Sequence, residues 1–240
     1  MIMTRELSLL LITTVSVAFI HTLTGPDHYL PFIVIAKAKK WSITKTAWFT
    51  ALCGVGHVGS SVILGFIGIA LGIAVGKLEL FEGVRGSIVT YLFTAFGLVY
   101  FVWGIRRAIR NKPHKHLHFH NDGNPHLHEH THNEEHLHVH EPKDMKTNLT
   151  PLILFTIFIF GPCEPLIQLV MFPASKHNYG ELIIVTVIFS TITILTMLTL
   201  VLITSYGIKL LPMKAMEKYS NALAGGTILL CGLGMLFFGL

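Results

Sequence analysis

The hydrophobic positions of this chain fall in long continuous runs, not in the alternation of a half-buried strand or the three-to-four spacing of a surface helix. Runs of about 18 or more apolar residues have the length of helix that crosses about 30 Å of hydrocarbon. They predict spans at Leu9 to Ala36, Ala47 to Gly76, Ile88 to Ile105, Leu152 to Phe172, Leu182 to Ser205 and Ala222 to Leu240. Backbone in lipid must satisfy its own hydrogen bonds, so the expected fold class is an all-α membrane protein of about six transmembrane helices. The first run lies where a signal peptide would. It lacks a small-residue cleavage site and its apolar character resumes from Tyr29 to Ala36, so it reads as a retained helix.

Three of the runs carry punctuation: Gly25-Pro26 in the first, Gly54-Val55-Gly56-His57-Val58-Gly59 in the second and Gly161-Pro162-Cys163-Glu164-Pro165 in the fourth. Proline removes a backbone donor and pushes the preceding residue away from helical angles, so helices one, two and four are expected to be interrupted. The two Gly-Pro pairs lie 136 residues apart (161 − 25), and Gly97 and Gly104 match Gly232 and Gly239 at an offset of 135 (232 − 97). A repeat of three helices has odd parity, so a second copy would be inverted in the membrane, an arrangement of secondary transporters whose substrate site lies where the breaks meet. The expected organisation is residues 1–106 as one three-helix repeat, 107–148 as a connecting loop and 149–240 as the second repeat.

Composition agrees with the pattern. Of the 240 residues 52% are hydrophobic and 13% charged, against roughly 25% charged in soluble domains. A net charge of +5 with a pI near 9.1 is compatible with a nucleic-acid partner, but the basic residues sit in short loops between apolar runs and not on one face. The bilayer is the partner this implies. Counted loop by loop, 14 Lys and Arg fall on the side of the 107–148 loop and 4 (Arg5, Lys77, Arg85, Lys176) on the other. The positive-inside bias then places that loop in the cytoplasm of a cell-membrane protein and both termini outside. Cys53, Cys163 and Cys231 all lie in apolar segments without a pairing pattern.

Ionisable residues inside the spans are few, and those identified gather at the breaks: His21, Asp27, His28, His57 and Glu164. A charged group at membrane depth costs about 2.5–3.5 kcal/mol on insertion scales, so such groups mark a site or pathway. Imidazole with carboxylate suits nickel, cobalt, zinc or iron and not magnesium or calcium. Asp27, His28 and His57 are the expected closest set. On an unbroken helix His21 would stand about 10 Å from His28, so it either joins through the Gly25-Pro26 break or hands the ion on. Glu164 matches His28 under the Gly-Pro offset and either completes the site or carries a counter-transported proton. Cys163 matches Asp27 and is a candidate ligand, with plain packing as the alternative. Cys53 shares a helix face with His57. Gly68, Gly72 and Gly76 recur every fourth residue, as in close helix packing.

Eleven of the 15 histidines lie between His114 and His140, among Asn, Asp, Glu, Gly and Pro. Such a composition buries no core, so disorder is expected. Neutral imidazoles at this density make a weak multi-site metal trap, released by protonation near pH ~6.5.

His21-Thr-Leu-Thr-Gly-Pro-Asp27-His28 together with Gly56-His57-Val58-Gly59-Ser60 resembles the first two motifs of the nickel/cobalt transporter family, which includes urease-accessory permeases of the UreH type and histidine-looped nickel/cobalt exporters. That family places four residues between the leading His and the Asp-His pair. Here there are five, closer to the UreH-like branch. The resemblance covers the first two helices and, less fully, the Gly-Pro-Cys-Glu-Pro stretch. It implies a secondary permease for nickel or cobalt, not an enzyme, with His21, Asp27, His28 and His57 handling the metal as substrate, no resident cofactor, and cytoplasmic metal-enzyme maturation proteins as partners.

Other classes share parts of this picture. Gly161-Pro162-Cys163 is similar to the break of membrane thiol-disulfide relays, but exchange needs two sulfurs and the matching position is Asp27. An intramembrane metalloenzyme would need a general base beside an open metal position, and there is no His-Glu-x-x-His. A sulfite-type anion exporter should carry Arg or Lys at the breaks, and the sequence reading places none there. No nucleotide-binding Gly-x-x-x-x-Gly-Lys-Ser/Thr is present.

Overall fold

The computed structural model describes residues 5–110, 114–118, 126–130, 149–209 and 218–238. The helices are α1 (Arg5–Thr24), α2 (Leu30–Ala38), α3 (Ile43–Ala70), α4 (Val75–Arg110), α5 (Leu149–Phe160), α6 (Glu164–Ser175), α7 (Tyr179–Lys209) and α8 (Ser220–Phe238), with a single 3-10 turn, Pro26–His28, between α1 and α2. Six spans are long and apolar enough to cross a membrane, α5 and α6 together forming one of them. Leu9, Trp48, Val99 and Leu230, among many others, turn large apolar side chains outward. In a bilayer those side chains meet lipid, which makes this a multi-pass membrane protein.

The helix ends follow from local chemistry. Gly25 closes α1 by donating to the His21 carbonyl, and its own carbonyl accepts from His28 N–H at 3.1 Å. Pro26 starts the turn and Pro31 sits in the first turn of α2, where a missing N–H costs nothing. Ser42 caps α3 by accepting from Lys45 N–H at 3.2 Å. At the other end of α3, Gly72 takes φ +64, and Ile73 N–H reaches back to Gly68 O at 2.8 Å, a helix end that glycine makes at no steric cost. Pro162 lies in the gap between α5 and α6 and Pro165 in the first turn of α6, with Cys163 the residue before the helix.

Three expectations about the helices change. Helix α3 runs unbroken through Gly54 to Gly59. No proline lies in that stretch, and two of its three glycines serve contact: a Cβ on Gly56 would lie 2.8 Å from Ile159 Cγ1, and one on Gly54 3.3 Å from Ile194. Of the four-residue glycine series only Gly68 packs tightly on a neighbour, Leu78; Gly72 makes the turn, and Gly76 is in α4 with open space around it. Third, α4 begins at Val75, well before Ile88, because the charged residues that lower the hydropathy of its first turns are helical and, at Glu82 and Arg85, paired.

Helix α7 packs against α1 and α3, α4 against α8, and α5 and α6 against α3. The α4–α8 seam is close backbone contact along its length. A Cβ on Gly97 would meet Leu229 backbone, on Gly104 Ala222, on Gly225 Phe101 and on Gly232 Thr94. At the helix ends nearest the histidine-rich loop, Lys39 and Arg107 lie over Trp103, and Lys45 over Trp41, the amphipathic pairing of a membrane–water boundary. Within that loop the described residues pair as antiparallel strands, β1 (His114–His118) and β2 (His126–His130), with His114 opposite His130. Histidine at every second position has the period of a strand, so this part is a hairpin where disorder was expected; the rest of the loop lies outside the described residues.

Candidate metal centre

The breaks after α1 and α5 come together beside the middle of α3. His21 sits in the last turn of α1 and His28 ends the 3-10 turn. The helix ends at Thr24 and the chain continues into the 3-10 turn, and these two rings lie 4.8 Å apart, edge to face, in place of the ~10 Å rise of a straight helix. His57 comes from α3, its ring edge-on to His28 at 5.0 Å. Glycines make room for both. A Cβ on Gly25 would lie 2.5 Å from His28 Nδ1, and one on Gly161 2.9 Å from His57 Nδ1.

Asp27 shares one arrangement with His28. The ring's Nδ1 is 3.1 Å from Gly25 O and 3.1 Å from an Asp27 carboxylate oxygen. Both partners accept, so Nδ1 carries the proton and Nε2 keeps its lone pair. A carboxylate holding the far nitrogen of a histidine is the usual outer support of a metal-binding imidazole. His28 Nε2, His21 Nε2 and both nitrogens of His57 are buried without a hydrogen-bond partner. Unsatisfied buried nitrogens cost about 1–3 kcal/mol each, a cost that a bound cation would remove.

Cys163 belongs to this cluster. Donor atoms of His21, His57 and Cys163 lie within 4.8 Å of one another, and Cys163 is fully buried. Glu164, one residue on, is exposed at the start of α6 and stands outside the grouped donors. It lines the same cavity of about 640 Å³ as His21, His28 and His57, which Gln168, Ser87 and Thr90 also border. A row of aromatic rings leads away from the histidines: Phe158, which also lines the cavity, lies 6.2 Å from His57, Phe32 4.6 Å from Phe158, and Phe49 6.0 Å from Phe32. Cys53 is buried in this apolar packing.

The sequence reading missed Glu82 and Arg85. The Glu82 carboxylate is completely buried and paired with Arg85 one helical turn on. Glu82 also accepts from Ser61 Oγ at 3.3 Å and from Cys163 N–H at 3.1 Å, while Arg85 donates to Ser60 Oγ at 2.9 Å and to the carbonyls of Gly161 and Ile159 at 3.2 and 3.4 Å. The pair thus serves both cut ends of the α5–α6 break, the orphan carbonyls of α5 and the first N–H before α6. The expectation that no Arg or Lys stands at a break is overturned by Arg85, but Glu82 matches its charge, so the break presents a neutral pair. The opposite charges at i and i+3 were the available signal; low hydropathy had put them outside the span.

Comparison with protein-family models, curated proteins and solved structures finds no match.

Proposed function

We propose that this chain is a secondary transporter, a permease, for divalent transition-metal ions, with nickel and cobalt as the first candidates. One observation carries the reading: the rings of His21, His28 and His57, from α1, the 3-10 turn and α3, stand in two edge-to-face pairs at 4.8 and 5.0 Å, with four ring nitrogens buried and unpartnered. Histidine donors at the interruption of a membrane helix suit a hydrated transition-metal ion that must exchange water for imidazole. The cavity supplies an approach, and the aromatic row beyond His57 supplies a barrier that a transport cycle would open.

The repeat belongs to this proposal. Along the α4–α8 seam Thr94 meets Gly232, Gly97 meets Leu229, Phe101 meets Gly225 and Gly104 meets Ala222, so the two helices run antiparallel, as the third helices of two inverted three-helix repeats would. The histidine-rich loop faces the cytoplasm on this reading, and partners that mature metal enzymes would meet the metal there.

The test is flux. Wild-type protein in liposomes should carry cobalt or nickel to an enclosed metal-quenched dye. His28→Ala and His57→Ala should abolish transport at unchanged amounts in the membrane, since the remaining donors cannot strip the ion of its water. Wild-type flux persisting in either variant would remove these rings from the pathway.

A further inference from the structure

We propose that Cys163 is a thiolate ligand of the transported ion, so that the substrate class is the thiophilic borderline divalent metals, zinc, cobalt and nickel, and not the hard ions magnesium or manganese. The assignment rests on the transport reading above and narrows it.

Geometry comes first. The donors of His21, His57 and Cys163 stand within 4.8 Å of one another. Metal–nitrogen bonds of about 2.0–2.1 Å and metal–sulfur bonds of about 2.3 Å require tetrahedral donors roughly 3.4–3.7 Å apart, so the three must draw in by about 1 Å, within reach of side-chain rotation. His57 is 3% exposed, and neither of its nitrogens has a hydrogen-bond partner; Asp27 and His28, expected from the sequence to form the closest set with His57, stand outside this group of donors, with His28 Nε2 likewise unpartnered. The sulfur is held from behind. Cys163 N–H is shared between Ser61 Oγ at 3.0 Å and Glu82 at 3.1 Å, and the residue precedes the first turn of α6, the positive end of that helix. Glu82 and Arg85 are positioning residues, acting through the Cys163 backbone.

Charge points the same way. A divalent cation in a low-dielectric interior is costly unless matched. When the ion binds, the Cys163 S–H bond breaks, the sulfur lone pair makes the metal–sulfur bond, and the proton leaves past His21 and His57 to water in the cavity that those two histidines line. The thiolate and the Asp27 carboxylate then supply two negative charges against two positive, while Glu82 and Arg85 cancel each other. With imidazole alone the bound ion would keep a net charge. Mixed imidazole and thiolate ligation favours zinc, cobalt and nickel over ions that prefer oxygen.

Cobalt(II) is the probe, because thiolate ligation gives a near-ultraviolet sulfur-to-cobalt charge-transfer band that histidine does not, and the histidine-rich loop contains no cysteine. Purified full-length protein with one equivalent of cobalt should show the band. The Cys53→Ser/Cys231→Ser double variant, in which Cys163 is the sole cysteine, should keep it, which tests the assignment without touching the site. Cys163→Ser should lose the band and bind zinc ~10-fold or more weaker, and magnesium or manganese in excess should leave the wild-type band unchanged. A band that survives in Cys163→Ser, or vanishes in the double variant, overturns the assignment. Cobalt flux in liposomes by wild-type protein with no sulfur band overturns thiolate ligation alone; the absence of both binding and flux overturns the transport reading with it.

Discussion

The ring of His28 stands edge-on to that of His57, centroids 5.0 Å apart, although 29 residues (57 − 28) and the turn between two helices separate them in sequence. A one-turn 3-10 segment holds one ring and an unbroken helix holds the other, so a small change in either backbone moves the pair.

Glycine at both breaks is therefore part of the site. Gly25→Ala and Gly161→Ala place a methyl group 2.5 Å from His28 Nδ1 and 2.9 Å from His57 Nδ1, and each should cut flux at least ~10-fold by displacing a ring from its position, as small misplacements do at preorganised sites. Gly59→Ala, which meets nothing within 4 Å, should transport as wild type. Equal flux in all three would show that the rings tolerate displacement.

Asp27→Asn keeps the shape of the side chain and removes its charge. The His28 ring retains its bond to Gly25 O but loses the carboxylate that orients it, and metal affinity should fall ~10–100-fold. Titration of the purified variant with cobalt, in a form lacking the histidine loop so that only the bundle site reports, measures this. Unchanged affinity would place Asp27 outside the metal chemistry.

Breaking the Glu82–Arg85 pair on one side should cost more than removing both charges. Arg85→Met leaves a carboxylate buried without its partner, a loss of about 3–5 kcal/mol, and should lower the thermal midpoint in detergent clearly. Glu82→Gln/Arg85→Met should recover part of it, since an amide oxygen can still accept from Ser61 and Cys163. A double variant no more stable than Arg85→Met would mean that the lost donors to Gly161 and Ile159, not the orphaned charge, dominate.

Orientation follows from the distribution of Lys and Arg. A cysteine placed at Asn124 should resist a membrane-impermeant maleimide in intact cells and react after permeabilisation. Ready labelling from outside would invert the topology.

The histidine-rich loop should tune transport without performing it, because the buried donors lie in the bundle. Deleting Pro113 to His140 should shift the metal concentration for half-maximal flux and leave the maximal rate within a few-fold. Below about pH 6 the wild-type protein should approach the deletion variant, since protonated imidazole releases metal. A shortened protein present at normal amount yet inactive at every metal concentration would make the loop an obligatory relay.

Length and hydropathy by themselves determined the number of membrane helices, because a bilayer imposes one requirement on every spanning residue and the chain must meet it locally. The two Gly-Pro breaks were legible for the same reason, since proline acts on its own backbone and its neighbour's. Glycine alone was a poor guide: Gly54, Gly56 and Gly59 look like a break in sequence, but a helix keeps its hydrogen bonds without side chains, and only the packing of Ile159 and Ile194 shows what two of them are for. His21, Asp27, His28 and His57 stood out as costly groups in apolar sequence. That Cys163, not Glu164, joins the grouped donors was decided by how α6 starts, one residue being fully buried and the next exposed. Glu82 and Arg85 read as boundary charges because hydropathy averages over a window. Only the fold, which sets them against the cut ends of α5 and α6, turns two unfavourable charges into the pair that holds the break.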